Sequence, residues 1–193
     1  MGFICLRKLA LLEGNGRPHL QLQEKLLQWF KMHKFPNLKN PIHFLATLGG
    51  IGLAPLAPGT AGSIFGWILF IVLSHYIDFI LGLSAALAVL AILISGEASK
   101  NLVEKDHKSI VIDEFTGIWL AMVPVLYIAS TQYERILYAL LALIFFRIFD
   151  IFKPYPISYI DRNFKNGFGI VLDDLVAGIY AAIFASFITV YLI

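Results

Sequence analysis

The chain has 193 residues, 59% of them apolar and only 15% charged, with a net charge of +2 and a mean hydropathy of +0.77. A soluble domain carries roughly 45–50% apolar and about 25% charged residues, and one domain's length cannot hide this much apolar surface in a water-soluble core. A disordered chain and a basic nucleic-acid module are excluded; an integral membrane protein is predicted. The single Cys5 allows no internal disulfide.

Residues 1–40 read as a basic extension, with Arg7, Lys8, Arg17, Lys25, Lys31, Lys34 and Lys39 against Glu13 and Glu24. They contain no long apolar run with a small-residue cleavage site, so they are not a signal peptide. Leu22, Leu26, Trp29 and Phe30 fall near helical spacing. Either an interfacial helix or a loosely ordered tail fits them, and Met32 is an alternative start. Residues 41–193 are the expected membrane-embedded domain. Within it, 49–63 (GGIGLAPLAPGTAGS) is rich in Gly and Pro. Bare backbone of that kind cannot face lipid, so a re-entrant or protein-packed segment is predicted.

Five apolar runs follow: 61–74, 79–95, 115–130, 136–152 and 175–193. A spanning helix needs about 20 residues, so several runs are at the short end. They predict an all-α polytopic bundle of about five spans. The connections 74–78 and 130–135 are tight and hold one basic residue, Arg135. The longer connections 96–114 and 153–174 hold Lys100, Lys105, Lys108, Lys153, Arg162 and Lys165. The excess of positive charge puts the N-terminus and both long loops in the cytoplasm.

The acids gather on that same side: Glu97, Glu104, Asp106, Asp113, Glu114, Asp150, Asp161, Asp173 and Asp174, leaving Asp78 and Glu134 on the other. Acids beside spans are costly and need a compensating partner. Asp113-Glu114 and Asp173-Asp174 each precede an apolar run, and Asp150 closes another. Neighbours on a helix point about 100° apart, so one acid of each pair can reach a shared centre while the other orients it. Oxygen ligands of this kind suit Mg²⁺ with a substrate phosphate. The helix macrodipole alone is a competing account of Asp113 and Asp173, but not of Asp150 at a helix C-terminus. Arg147 either bridges to Asp150 or offers its fork to a phosphate. His107, beside Asp106, is either solvated or a proton donor to a leaving oxygen. Cysteine-phosphatase, aspartyl-phosphate, P-loop and CDP-alcohol phosphotransferase signatures are missing.

Four stretches together resemble the phosphatidylglycerophosphatase A family: HFLATLGGIGLAPLAPGTAGS (43–63), SIVIDEFTGIW (109–119), FRIFDIFKPYPISYIDR (146–162) and GFGIVLDDLVAGI (167–179). Asn166-Gly167 stands where the pattern expects Gly-Gly. The resemblance implies a Mg²⁺-dependent phosphatase of the bacterial inner membrane. It would convert phosphatidylglycerophosphate to phosphatidylglycerol and phosphate at the cytoplasmic face. It carries the acidic roles onto Asp113, Glu114, Asp150, Asp173 and Asp174, with Asp113, Glu114, Asp173 and Asp174 as metal ligands. Phosphate binding falls on Arg147, Lys153, Gly59 and Thr60. The competing readings are another lipid headgroup enzyme, or a small channel or transporter. A channel or transporter would carry its acids at mid-span rather than at one face.

Overall fold

Local signals set where each helix begins. In the computed structural model, which describes residues 35–76, 79–100, 102 and 106–191, helix α1 (Pro41–Ala46) starts where the Asn40 side chain accepts the Ile42 N–H at 2.9 Å. A short 3₁₀ segment, Leu48–Leu53, follows. Gly49 and Gly50 adopt φ of 70° and 102° there, a region costly for residues with a Cβ. Helix α2 (Pro58–Leu73) opens with a proline in its first turn, where no N–H is missed. Helix α3 covers Ile80–Ser99, and helix α4 covers Ile112–Met122. Pro124 interrupts the ladder, and one further turn, α5 (Val125–Ile128), completes that arm.

Helix α6 (Gln132–Phe152) begins with a reciprocal capping box between Thr131 and Glu134. It ends at Lys153, in the left-handed conformation at φ 42°, just before Pro154. Helix α7 (Ile157–Asn163) is short. Helix α8 (Gly167–Tyr191) is the longest element described. Its start is fixed by Asn166, whose Oδ1 accepts the Gly169 N–H at 2.8 Å. No strand occurs among the described residues. The expected helix around Leu22–Phe30 lies outside them.

Helix α8 packs against α3, α4, α6 and α7, and α4 also packs against α2, α3 and α6. The α4–α8 contact depends on two glycines: a Cβ on Gly178 would collide with the Gly117 carbonyl, and one on Gly117 would strike Phe146 and the Asp174 carbonyl. Ala177, Ala181 and Ala185 continue this small-residue face and are fully buried. Trp119 and Tyr138 are buried, and their polar atoms reach the backbone. Trp119 Nε1 donates to Gly66 O and Tyr138 OH to Ala121 O, both at 2.8 Å.

Five runs were expected to span. By length and composition, two helices qualify among the described residues, Ile80–Ser99 and Gly167–Tyr191, with Pro58–Leu73 a shorter apolar helix. Helix α6 is long enough but carries Glu134, Arg135, Arg147 and Asp150. The 115–130 run is broken at Pro124. The last helix starts at Gly167 rather than Leu175, so Asp173 and Asp174 lie in its second turn, not at its mouth.

Candidate active site

The first turn of α4 is held from two sides. The Val111 N–H donates to Ala46 O at 2.9 Å, and a Cβ on Gly62 of α2 would press on Val111. This pins Asp113 and Glu114 against the start of α2. Asp174 approaches from α8. One carboxylate oxygen from each of Asp113, Glu114 and Asp174 lies within 4.8 Å of the other two. Asp113, Asp173 and Asp174 are each only 4% exposed, and Glu114 Oε2 is buried with no hydrogen-bond partner. The helix macrodipole fades within the first turn, so it does not account for Asp174. Three hard oxygen donors so close are suited to a divalent cation.

Asp173 faces elsewhere. Its Oδ2 accepts from Lys153 Nζ at 2.6 Å, and Asp161 Oδ1 takes the same ammonium at 3.0 Å. The two aspartates of α8 therefore divide the work: one joins the carboxylate group and its neighbour fixes a lysine. Asp113 and Glu114 do not divide in this way, since both join the group. Burial disfavours the Lys153 ammonium, but Asp173, through charge and hydrogen bond, and then Asp161 outweigh it and raise its pKa above the ordinary value. Burial likewise pushes the Asp161 carboxyl up, and Lys153 and Lys165 override this to hold it below the usual aspartate range.

Arg147 Nη1 donates to Asp150 Oδ2 at 2.5 Å and to Ser63 Oγ at 3.2 Å. Its Nε is buried without a partner. Asp150 also lies against Asp174, so the arginine and the carboxylate group are adjacent. Gly59 explains how they fit: a Cβ there would fall on Glu114 Oε1 and lie 3.6 Å from Arg147 Nη1. Thr60, half-buried, is the next residue of α2. His107 stands in the loop before α4, where its Nδ1 accepts the Ser109 N–H at 3.2 Å. It is not part of the three-carboxylate group; Asp106 meets solvent but stands close enough to Lys153, Asp161 and Asp150 to feel their charges.

Two pairings of this site are not foreseen from the sequence, that of Ser63 with Arg147 and that of Asp161 with Lys153. Ser63 is the hydroxyl that joins Arg147 to the Gly59 carbonyl, to which it donates at 2.8 Å. A lone serine four residues after Gly59 in an apolar run was its only mark. Asp161 reaches Lys153 across a helix boundary, a pairing that no local spacing rule predicts.

Buried carboxylates beside a guanidinium and an ammonium are equipment for handling phosphate esters. The relatives agree, and the class is that of the phosphatases. The chain belongs to the phosphatidylglycerophosphatase A family, whose model matches residues 44–189. It is 40% identical over 149 residues to a Haemophilus influenzae protein named phosphatidylglycerophosphatase A, covering 76% of this chain and 88% of that one. An Escherichia coli protein of the same name is 32% identical over 146 residues, covering 75% and 81%. A Bacteroides thetaiotaomicron protein, named provisionally as a phosphatidylinositol-3-phosphatase, is 35% identical over 156 residues, covering 76% and 94%. No solved structure matches the chain significantly.

Proposed function

We propose that this protein hydrolyses phosphatidylglycerophosphate to phosphatidylglycerol and inorganic phosphate, embedded in the bacterial inner membrane with its reactive end at the cytoplasmic face. The observation that carries the reading is the group of Asp113, Glu114 and Asp174, each with an oxygen within 4.8 Å of the others, next to a half-buried Arg147. Two carboxylates at that distance repel by about 3.5 kcal/mol at an effective dielectric of about 20. Arg147 and Lys153 are already matched by Asp150, Asp173 and Asp161. The surplus negative charge calls for a cation, and Mg²⁺ held by Asp113, Glu114 and Asp174 fits the donor set. When bound, it supplies Lewis-acid polarisation of the phosphoryl oxygens.

The chain's own groups do the rest. Arg147, steadied by Asp150 and Ser63, directs its unpaired Nε at a phosphoryl oxygen. The Lys153 ammonium binds a second, where charge spreads in a loose transition state. Water bonds to phosphorus as the bond from phosphorus to the glycerol oxygen breaks, and the proton that the water gives up ends on the departing alkoxide.

Membrane embedding is supported by more than the two long helices. Exposed apolar side chains run at helical spacing along α2 (Ile64, Ile68, Val72), α6 (Ile136, Leu140, Ile144, Ile148) and α8 (Ile179, Ile183, Phe187). Such continuous patches mark a surface that meets lipid or a partner. With α2, α3, α4–α5, α6 and α8 as the five spans, Lys100, Lys108, Lys153, Arg162 and Lys165 share the acid-bearing end, as the positive-inside rule requires.

The name of the Bacteroides relative favours a second reading, an inositol lipid phosphate as substrate. One assay separates them: phosphate release by the purified chain in mixed micelles, with Mg²⁺ or excess chelator, on phosphatidylglycerophosphate, phosphatidylinositol 3-phosphate and phosphatidic acid. The expected result is release from the first lipid, lost on chelation. Release from the inositol lipid alone overturns the first reading for the second. Release that survives chelation removes the metal.

A further inference from the structure

A cavity of about 280 Å³ lies at the other end of the bundle, between α2, α4–α5 and α6. Arg135 on its rim and Arg147 at the carboxylates are twelve residues apart on α6, about 18 Å along the axis. Buried Phe70 and Met122 line its inner part, and its mouth is bordered by the exposed side chains of Leu126, Ile136 and Leu140. Ile136 and Leu140 begin the apolar stripe of α6, so the cavity opens onto the surface read above as lipid-facing. Its polar edge holds His75, Gln132 and Arg135.

Among the described residues that line the cavity, Arg135 alone carries a formal charge at neutral pH. None of the described lining residues is acidic, and Arg135 makes no ion pair with a described carboxylate. Its Nε donates to Ala129 O at 3.4 Å. Neighbouring Glu134 commits Oε2 to the Ser130 and Thr131 N–H groups of the α6 cap. An apolar chamber open to the bilayer with a guanidinium at its polar edge matches an anionic amphiphile. At about 280 Å³ it is just below the range of small-molecule pockets, roughly 300–1,000 Å³. It therefore accommodates part of one acyl chain rather than a whole two-chain lipid.

We infer that this cavity is a second lipid site, which takes one acyl chain of an anionic phospholipid and holds the headgroup at Arg135. The inference rests on the membrane reading above but not on the catalytic one. The test is native mass spectrometry of the full chain in neutral detergent, titrated with phosphatidylserine and phosphatidylcholine of identical chains. Phosphatidylserine is neither substrate nor product of the proposed reaction. Its adduct is expected to exceed that of phosphatidylcholine at least fivefold. Arg135→Gln should cut this preference below twofold, Leu140→Trp should weaken both lipids by narrowing the mouth, and both variants should still release phosphate. Equal retention of the two lipids, or an unchanged preference in Arg135→Gln, overturns the site. So does a preference lost in Asp113→Asn but kept in Arg135→Gln, which would put the lipid at the carboxylates. Wild-type protein that selects phosphatidylserine yet releases no phosphate from any lipid sinks the catalytic reading alone.

Discussion

The two ends of the bundle treat polar atoms in opposite ways. In the half where α4 ends and α6 begins, buried and half-buried aromatic residues hand their polar atoms to backbone carbonyls: Trp67 to Ala139, Trp119 to Gly66 and Tyr138 to Ala121. In the half where α2 and α4 begin, charged atoms stay buried and unpaired: Glu114 Oε2, Arg147 Nε and Asp173 Oδ1. Such orphans cost free energy. The orphans that carry charge gather at the acid-bearing end, whereas Thr189 Oγ1, buried without a partner near the far end of α8, is neutral.

The contrast breaks most sharply at the grouped acids. Asp113→Asn or Asp174→Asn should lower phosphate release at least 10³-fold, about 4 kcal/mol of transition-state stabilisation, with helical content by circular dichroism unchanged. Activity near wild type in either would remove that acid from the site. Gly59→Ala comes next. Its methyl would displace Glu114 Oε1, so a loss of roughly 30-fold, about 2 kcal/mol, is expected in the same assay. Arg147→Lys keeps the charge but gives up both the bond to Ser63 and the fork. A drop of about tenfold, near 1.4 kcal/mol, is expected, and an unchanged rate would mark Arg147 as structural. Tyr138→Phe tests the other end. It should cost about 1 kcal/mol of stability through the lost bond to Ala121, visible as a lower melting temperature, while turnover stays the same.

What the sequence disclosed followed the cost of burying charge. Asp113, Glu114 and Asp150 stand out because each interrupts or borders an apolar run, and they lie where the spacing puts them. The same cost misleads at helix α8, where the conspicuous Asp173-Asp174 pair looks like a boundary although the helix begins at Gly167. The quieter start signal was Asn166, a capping residue followed by GFGIVL. The break in 115–130 was written in Pro124, and α7 was hidden in a stretch read only as a polar loop. The roles of Ser63 and Asp161 stay hidden because their partners, Arg147 and Lys153, come from other elements, and only the packed fold brings them within reach.

Gly117 and Gly178 also act beyond their own contact. Gly117 lies one turn past Asp113 and Glu114, and Gly178 one turn past Asp174, so the near-touch of their backbones gauges the gap across which the acids face one another. Two bare hydrogens, standing where other residues carry a side chain, set the width of that jaw. A methyl group at either position would wedge α4 and α8 apart and draw Asp174 away from Asp113 and Glu114.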